Sequence, residues 1–488
     1  MKLAILNNLS GRQVSAPLPL WVWLAPAALL PLAIVGPKVL LATYAVVVLC
    51  AGLRLLWRPG EPPILLFIFL YQWVQSATGA LYANANGVPL ERFGNYGPRY
   101  AGEEALEFAS GLMLTGVLVL AFSMRVAAGK SFREHYGQIK SLVNSRPFGF
   151  WLRLYAAIWL FATACKIAAP FTGGLSVPLL TMSGIKWAGF FLLAFVAFSS
   201  NKMSHRYIFF IIFGIEFISS IGGYFSNFKD VFLFSIFSIV AANVRFRFPT
   251  IFLGITLTVF MMGLGILWTA VKSDYRDFVS GGSGKQIVLV DYQQRILELN
   301  RLIDNVNHEA LSEATDDFIS RLIYHKFFGF AVEKVPQTLP YSGGGIWGEA
   351  ITRSFIPRVL FPDKRVINDS DLTNRYTGLG VSNAAQGTSI SLGYMAEAYI
   401  DFGPIVMFIP IGALGAAIGL FYRWLLRRRG MMAVAGAALA PFALMPAHLA
   451  ETSILKMIPA LALTFVACFV VLNFLAPRVL GVRRRRTF

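Results

Sequence analysis

Charge is scarce in this sequence: only 14% of its 488 residues are Asp, Glu, Lys or Arg, while 56% are hydrophobic. A water-soluble domain of this size needs more ionisable surface, so a soluble single-core protein is excluded. Cysteine is scarcer still. Cys50, Cys165 and Cys468 all fall inside apolar runs, which excludes a disulfide framework and a zinc knuckle. Low-complexity tracts, coiled-coil heptads and repeats of fixed period are missing as well, which removes disordered hubs, filaments and solenoids. What the chain has instead is one apolar run after another, each near the ~20 residues that cross a bilayer.

These runs predict an all-α polytopic membrane protein of about twelve spans. They lie at roughly 18–36, 38–56, 63–82, 104–127, 149–169, 183–200, 206–224, 229–244, 249–271, 403–424, 431–450 and 456–476. The first is followed at once by Gly36, Pro37 and a second run, so it reads as one arm of an uncleaved hairpin. The chain divides into spans one to nine over 1–271, a large and partly helical external segment over 272–402, and spans ten to twelve with a basic tail over 403–488.

The formal charge of +18 follows from the same arrangement. With the amino terminus placed inside, alternate connections collect 23 Lys and Arg against Glu61 and Glu134, while the remainder holds 20 basic and 23 acidic residues. That asymmetry is the positive-inside rule, and it predicts both termini in the cytoplasm of a bacterial inner-membrane protein. The positive charge is therefore topological. No helix-turn-helix or stacking platform accompanies it, so nucleic acid is excluded as a partner and membrane lipids are expected.

The long segment is too apolar for a disordered linker. Ile296, Leu299, Leu302, Ile303 and Val306 recur at helical spacing, and a second helix is expected to start at Thr315, bury Phe318, Ile319, Leu322 and Ile323, and stop before Pro336. Between 350 and 376 the character changes to Gly- and Pro-rich sequence with five basic and three acidic residues. Arginine forks pair bidentately with phosphate, so this stretch reads either as a diphosphate cradle or as a loop of ordinary salt bridges. Gly343 to Gly348 fits G-x-G-x-x-G without a preceding strand and reads as a flexible loop. Asp369-Ser-Asp371 looks like a metal-binding acid pair on the wrong face for a nucleotide-sugar donor, and no metal or other cofactor is expected.

The stretch from Arg353 to Asp401 contains Phe-Ile-Pro-Arg-Val-Leu-Phe-Pro-Asp-Lys, Asn-Asp-Ser-Asp and Ser-Ile-Ser-Leu-Gly-Tyr-Met-Ala-Glu-Ala-Tyr-Ile-Asp-Phe-Gly. It resembles the Wzy-type bacterial polysaccharide polymerases, which join O-antigen or exopolysaccharide repeat units. The resemblance is sharp over about fifty residues and otherwise rests on architecture. It implies a GT-C-like glycosyltransferase that uses oligosaccharides carried on undecaprenyl diphosphate at the periplasmic face, independent of metal, with a chain-length regulator and a flippase as further partners. Carried onto this sequence, the diphosphate-binding candidates are Arg353, Arg358, Arg365 and Arg375.

A glycosyl diphosphate already has a good leaving group, so such an enzyme needs positive charge and a base for the acceptor hydroxyl. The base candidates are Glu397, which shares a helical face with Asp401, the pair His448 and Glu451, whose spacing lets them orient each other, and Glu349. Glu216 and Lys186 lie within spans, where a charge needs a partner or a cavity; they either pair with each other or, with Tyr376, line a groove for the lipid chain. An O-antigen ligase or another lipid-linked glycosyltransferase would share these features. A transporter or flippase of lipid-linked sugars is the rival from another class, although its expected internal symmetry is not seen.

Overall fold

The computed structural model describes residues 20–93, 95–96, 99–130, 133–220, 228–242, 248–283, 288–356, 358, 360–361, 363–364, 366–381 and 389–481. Apart from the two-residue antiparallel pair β1 (Asn95–Tyr96) and β2 (Arg99–Tyr100), the regular structure described is helical.

The first part of the chain forms α1 (Leu24–Ile34), α2 (Val39–Leu56), α3 (Ile64–Asn86), α4 (Glu103–Ala128), α5 (Arg133–Asn144), α6 (Phe148–Ala168), α7 (Ser176–Ser183), α8 (Lys186–Ser199), α9 (Met203–Ser220), α10 (Phe228–Ala241) and α11 (Phe248–Val279). The long segment folds as α12 (Tyr292–Asp304), α13 (His308–Leu322), α14 (His325–Lys334), α15 (Gly345–Ser354) and α16 (Asp369–Thr377). Then follow α17 (Tyr394–Val406), α18 (Phe408–Leu426), α19 (Met431–Leu444), α20 (Ile454–Val470) and α21 (Ala476–Val479).

Seven helical stretches among the described residues are long and apolar enough to cross a membrane: Val39–Leu56, Ile64–Asn86, Glu103–Ala128, Phe148–Phe171, Gly173–Ser199, Phe408–Leu426 and Ile454–Val479. Each overlaps an expected span. The expected spans at 18–36 and 431–450 fall on the shorter apolar helices Leu24–Ile34 and Met431–Ala447, and those at 206–224, 229–244 and 249–271 fall on α9, α10 and α11. The chain is an all-helical membrane protein.

Close backbone approach holds the centre of the bundle. α18 packs most extensively on α4. A Cβ on Gly415 would stand 2.7 Å from the Leu120 carbonyl oxygen, and one on Gly419 would stand 2.5 Å from that of Met124. Two glycines four apart therefore let the helices touch along their backbones, the small-residue packing that lipid-embedded helices use in place of a hydrophobic drive.

The long segment folds back onto one end of this bundle, here called the loop face. Leu299 of α12 packs with Val271, Tyr275 and Val279 of α11, as the apolar stripe predicts. The second expected helix is two helices instead. α13 begins at His308, where Asn307 accepts the Ala310 amide at 2.8 Å, and the chain breaks at Ile323 before α14. The start expected at Thr315 is wrong because that hydroxyl turns back onto the Leu311 carbonyl within an unbroken helix. The stretch from Gly343 is not a flexible loop either: Gly344, at φ +91, leads directly into α15.

Candidate functional site

The site is assembled around two glutamines in an otherwise apolar helix. Gln72 and Gln75, three apart on α3, point the same way. The Gln72 amide donates to the Ala447 carbonyl at 2.8 Å, and its oxygen accepts the Tyr394 hydroxyl at 2.7 Å. Gln75 accepts the Ala450 amide at 2.8 Å and donates to Glu451 Oε2 at 3.3 Å. These bonds satisfy irregular backbone between α19 and α20 that no regular ladder serves. Gly393 completes the clamp: it sits at φ +84, and a Cβ there would stand 2.6 Å from the Ala450 carbonyl oxygen. The next residue, Tyr394, donates its amide to Thr452 at 3.0 Å.

The clamped segment carries both His448 and Glu451, but they do not orient each other as their spacing predicts. His448 Nδ1 lies 2.6 Å from the Met445 carbonyl, so that nitrogen carries the proton and donates, and the ring stacks on Phe67 and meets Tyr71 edge-on. Burial raises the Glu451 carboxyl above its ordinary value, against the opposing effects of Lys229 and Gln75.

Glu451 opens onto a cleft of about 660 Å³ at the loop face. Lys229 enters it from α10, Arg276 from the end of α11, Arg321 from α13 and Lys326 from α14, with Tyr71 and Tyr324 on the walls. Four basic side chains from four helices thus share one cleft with a single carboxylate. The crowding is felt beside it: burial, Arg321 and Arg276 together pull Lys272 of α11 down to about 8. Burial lowers Lys326 too, with Arg321 adding to this against Asp317. The cleft mouth is held by the main chain, since the Tyr324 amide donates to the Gln75 carbonyl at 3.2 Å and the Tyr324 hydroxyl to the Ser391 carbonyl.

The remaining acids have other work. Glu397 is 0% exposed and does not line the cleft; its Oε2 accepts the Ile454 amide at 2.7 Å, at the start of α20. Asp401 accepts the Ile346 and Trp347 amides at 3.1 and 2.8 Å, at the start of α15. Both cap helices other than their own, where a carboxyl oxygen accepts orphan amides at the helix start. Glu349 pairs with Arg353 on α15 at 3.1 Å. Asp369 does not converge with Asp371: it pairs with Lys456 at 2.5 Å, whereas Asp371 accepts from Asn368.

The sequence-predicted arginines divide. Arg353 and Arg358 belong to one turn with Lys364, whose ammonium donates to the Arg353 and Ile356 carbonyls at 2.7 and 2.6 Å while Arg358 donates to the Lys364 carbonyl at 3.0 Å. Arg375 lies on α16 over the ring of Tyr376, and its carbonyl accepts from Lys334. Arg365 lies outside the described residues. None of the described three lines the cleft. Tyr376 is a core residue, 4% exposed. Glu216 pairs with Lys186 at 2.9 Å and accepts the Tyr155 hydroxyl at 2.6 Å, so of the two roles open to it, pairing is the one observed.

A family model described as Domain of unknown function (DUF8712) matches residues 138–423, more than half of the chain. The chain belongs to this family. The DUF8712 match takes in all four basic residues of the cleft and the caps Glu397 and Asp401; Gln72, Gln75, His448 and Glu451 lie outside it. No curated protein and no solved structure matches the chain.

Sequence reasoning missed Lys229, Arg276, Arg321 and Lys326 because each is ordinary in its own neighbourhood. Only their convergence is unusual, and it joins positions almost a hundred residues apart. Gln72 and Gln75 did carry a signal, as two amides in an apolar span that need partners.

Proposed function

We propose that this chain is a membrane glycosyltransferase that polymerises oligosaccharide repeat units carried on undecaprenyl diphosphate at the outer face of the bacterial inner membrane. One observation carries the reading: four cationic side chains and one hydrogen-bonded carboxylate share a cleft at the loop face of a membrane bundle. The cations suit a diphosphate, with a charge of roughly −2 to −3, by charge-assisted hydrogen bonding. The residues that serve it are Lys229, Arg276, Arg321 and Lys326, in place of the 353–375 arginines.

In this reading Glu451 accepts the proton of an acceptor sugar hydroxyl as that oxygen attacks the anomeric carbon of the donor. The bond from that carbon to the lipid diphosphate breaks, and the departing oxyanion meets the four cations. Gln75 orients the carboxylate. The raised affinity of Glu451 for protons suits a group that must take one and give it up again.

The charge distribution supports a twelve-span topology with both termini in the cytoplasm. Two of the basic connections meet, where Arg58 pairs with buried Glu61 and both Arg58 and Arg125 donate to the Gly129 carbonyl. The test is purified protein in nanodiscs supplied with lipid-linked repeat units. Wild type should form a ladder of longer glycans, and Glu451→Gln should lower the extension rate about 100-fold or more while the protein stays folded. Movement of the substrate across the membrane with no new glycosidic bond would replace the reading by a transporter.

A further inference from the structure

A second hollow, sharing no wall residue with the cleft, runs along the bundle between α15, α18 and α20. Its volume is about 650 Å³ and its lining is almost wholly apolar. Small side chains open it: Ala413 and Ala417, one turn apart on α18, and Ala462 on α20. It follows α18 from Pro410 to Trp424, roughly 21 Å at the helical rise. Phe421, Trp424 and Phe465 close the far end, their ring centroids 5.1 to 6.0 Å apart, and Arg428 lies over Trp424 at 4.8 Å.

The near end is polar in two ways. Trp347 lines the hollow and is only 6% exposed, yet its indole N–H is buried with no acceptor among the described residues. A buried donor left unmade is costly, so an acceptor is expected there. Beyond Ile351, the last wall residue of α15, the chain enters the turn that gathers Arg353, Arg358 and Lys364. That turn also bares Phe355, 80% exposed, and Leu360, 72% exposed. Cations interleaved with exposed aromatic and aliphatic side chains are the composition of a segment lying in a lipid headgroup layer.

We propose that the hollow binds one anionic glycerophospholipid, with an acyl chain along α18 and α20, its phosphate against Arg353, Arg358 and Lys364, and one of its head or ester oxygens accepting the Trp347 N–H. The closed end favours this occupant over a lipid carrier, because a long polyprenyl chain would overrun a hollow that stops at three packed rings. The site is independent of the glycosyl-transfer reading, which uses none of these residues.

The test uses the full chain extracted in mild detergent from membranes containing phosphatidylglycerol, with bound lipid counted by native mass spectrometry. Wild type should retain one phosphatidylglycerol per chain. Retention should fall roughly tenfold in Ala417→Phe, which fills the hollow, and in Arg358→Gln/Lys364→Gln, and several-fold in Trp347→Phe. After delipidation, phosphatidylglycerol but not phosphatidylcholine should raise the melting temperature. The double glutamine variant changes two half-buried side chains of one turn and leaves the bundle helices untouched, so it keeps the test decisive if Ala417→Phe does not fold. Equal retention by wild type and that variant, equal response to the two lipids, or a retained mass matching a polyprenyl phosphate would each overturn the proposal.

Discussion

Glu397 and Asp401 stand one turn apart on α17, and each closes the amino-terminal end of a different helix: Glu397 that of α20, Asp401 that of α15. One short helix therefore sets the position of two others. Just beyond Asp401, Gly403 takes φ +78 and the chain turns into α18, so the three walls of the apolar hollow all meet at this junction.

Removing the Asp401 cap should be costly in a graded way. Asp401→Ala strips two buried acceptors from α15 and should destabilise the protein by about 2–4 kcal/mol. Asp401→Asn keeps one acceptor oxygen and should cost about half as much. Thermal unfolding in a fixed detergent, with a trypsin-sensitivity assay on α15, compares them. Equal stability of both variants with wild type would deny the cap any structural role.

Glu397 gives a pH dependence whose sign is opposite to the usual carboxylate. Burial raises its pKa to about 8, above the ordinary 4.5, so the folded state holds its proton where the unfolded state has lost it. The associated stability is fully present below pH 4.5 and drains away as pH rises towards about 8. Wild type should therefore lose stability relative to Glu397→Gln between pH 6 and 8, measured as the difference between two melting profiles. A difference that stays flat over that window contradicts the protonated cap.

On the proposed reading, the placement of a diphosphate would distinguish two sets of arginines. Arg321→Ala and Arg276→Ala, in the cleft, should each cut chain extension by about 10- to 1000-fold, with Lys rescuing Arg321 poorly. Arg375→Ala, on α16 over Tyr376, should change it less than about threefold. Extension assays with lipid-linked units rank them, and the reverse ranking would return the diphosphate to the 353–375 segment.

Lys186 and Tyr155 both reach the buried Glu216 carboxylate within the bundle. Lys186→Met alone should leave a buried carboxylate short of its partner and cost about 3–5 kcal/mol. Lys186→Met with Glu216→Leu should recover most of that loss, and a double-mutant cycle on thermal stability measures the coupling. Loss of glycan extension in a stable double variant would show instead that the pair serves the reaction.

The apolar helices were legible because they rest on composition counted along the chain. Lys456 and Asp369, or Gln75 and Glu451, could not be paired by the same means, since nothing local distinguishes a charged residue that converges from one that does not. The acid spacing on α17 was read correctly as one helical face, yet the caps were invisible because the amides they serve belong to helices far away in sequence. The arginine-rich stretch drew attention by density, and of its described arginines Arg353 and Arg358 share one turn with Lys364 while Arg375 lies on α16. The cleft is built from residues spaced too widely to look dense at all.

The clamp between α3 and the Glu451 segment also says something about how the protein is made. Gln72 reaches the Ala447 carbonyl across 375 positions, and Gln75 reaches the Ala450 amide across the same distance. Until the ribosome has delivered almost the whole chain, the Gln75 side chain lacks both of these partners and that of Gln72 can hold only Tyr394, and the four cations of the cleft lack Glu451. A polypeptide released before this segment would lack the clamp, and on the proposed reading its cleft would have cations without a base. The two ends of the chain therefore have to meet before the site is complete.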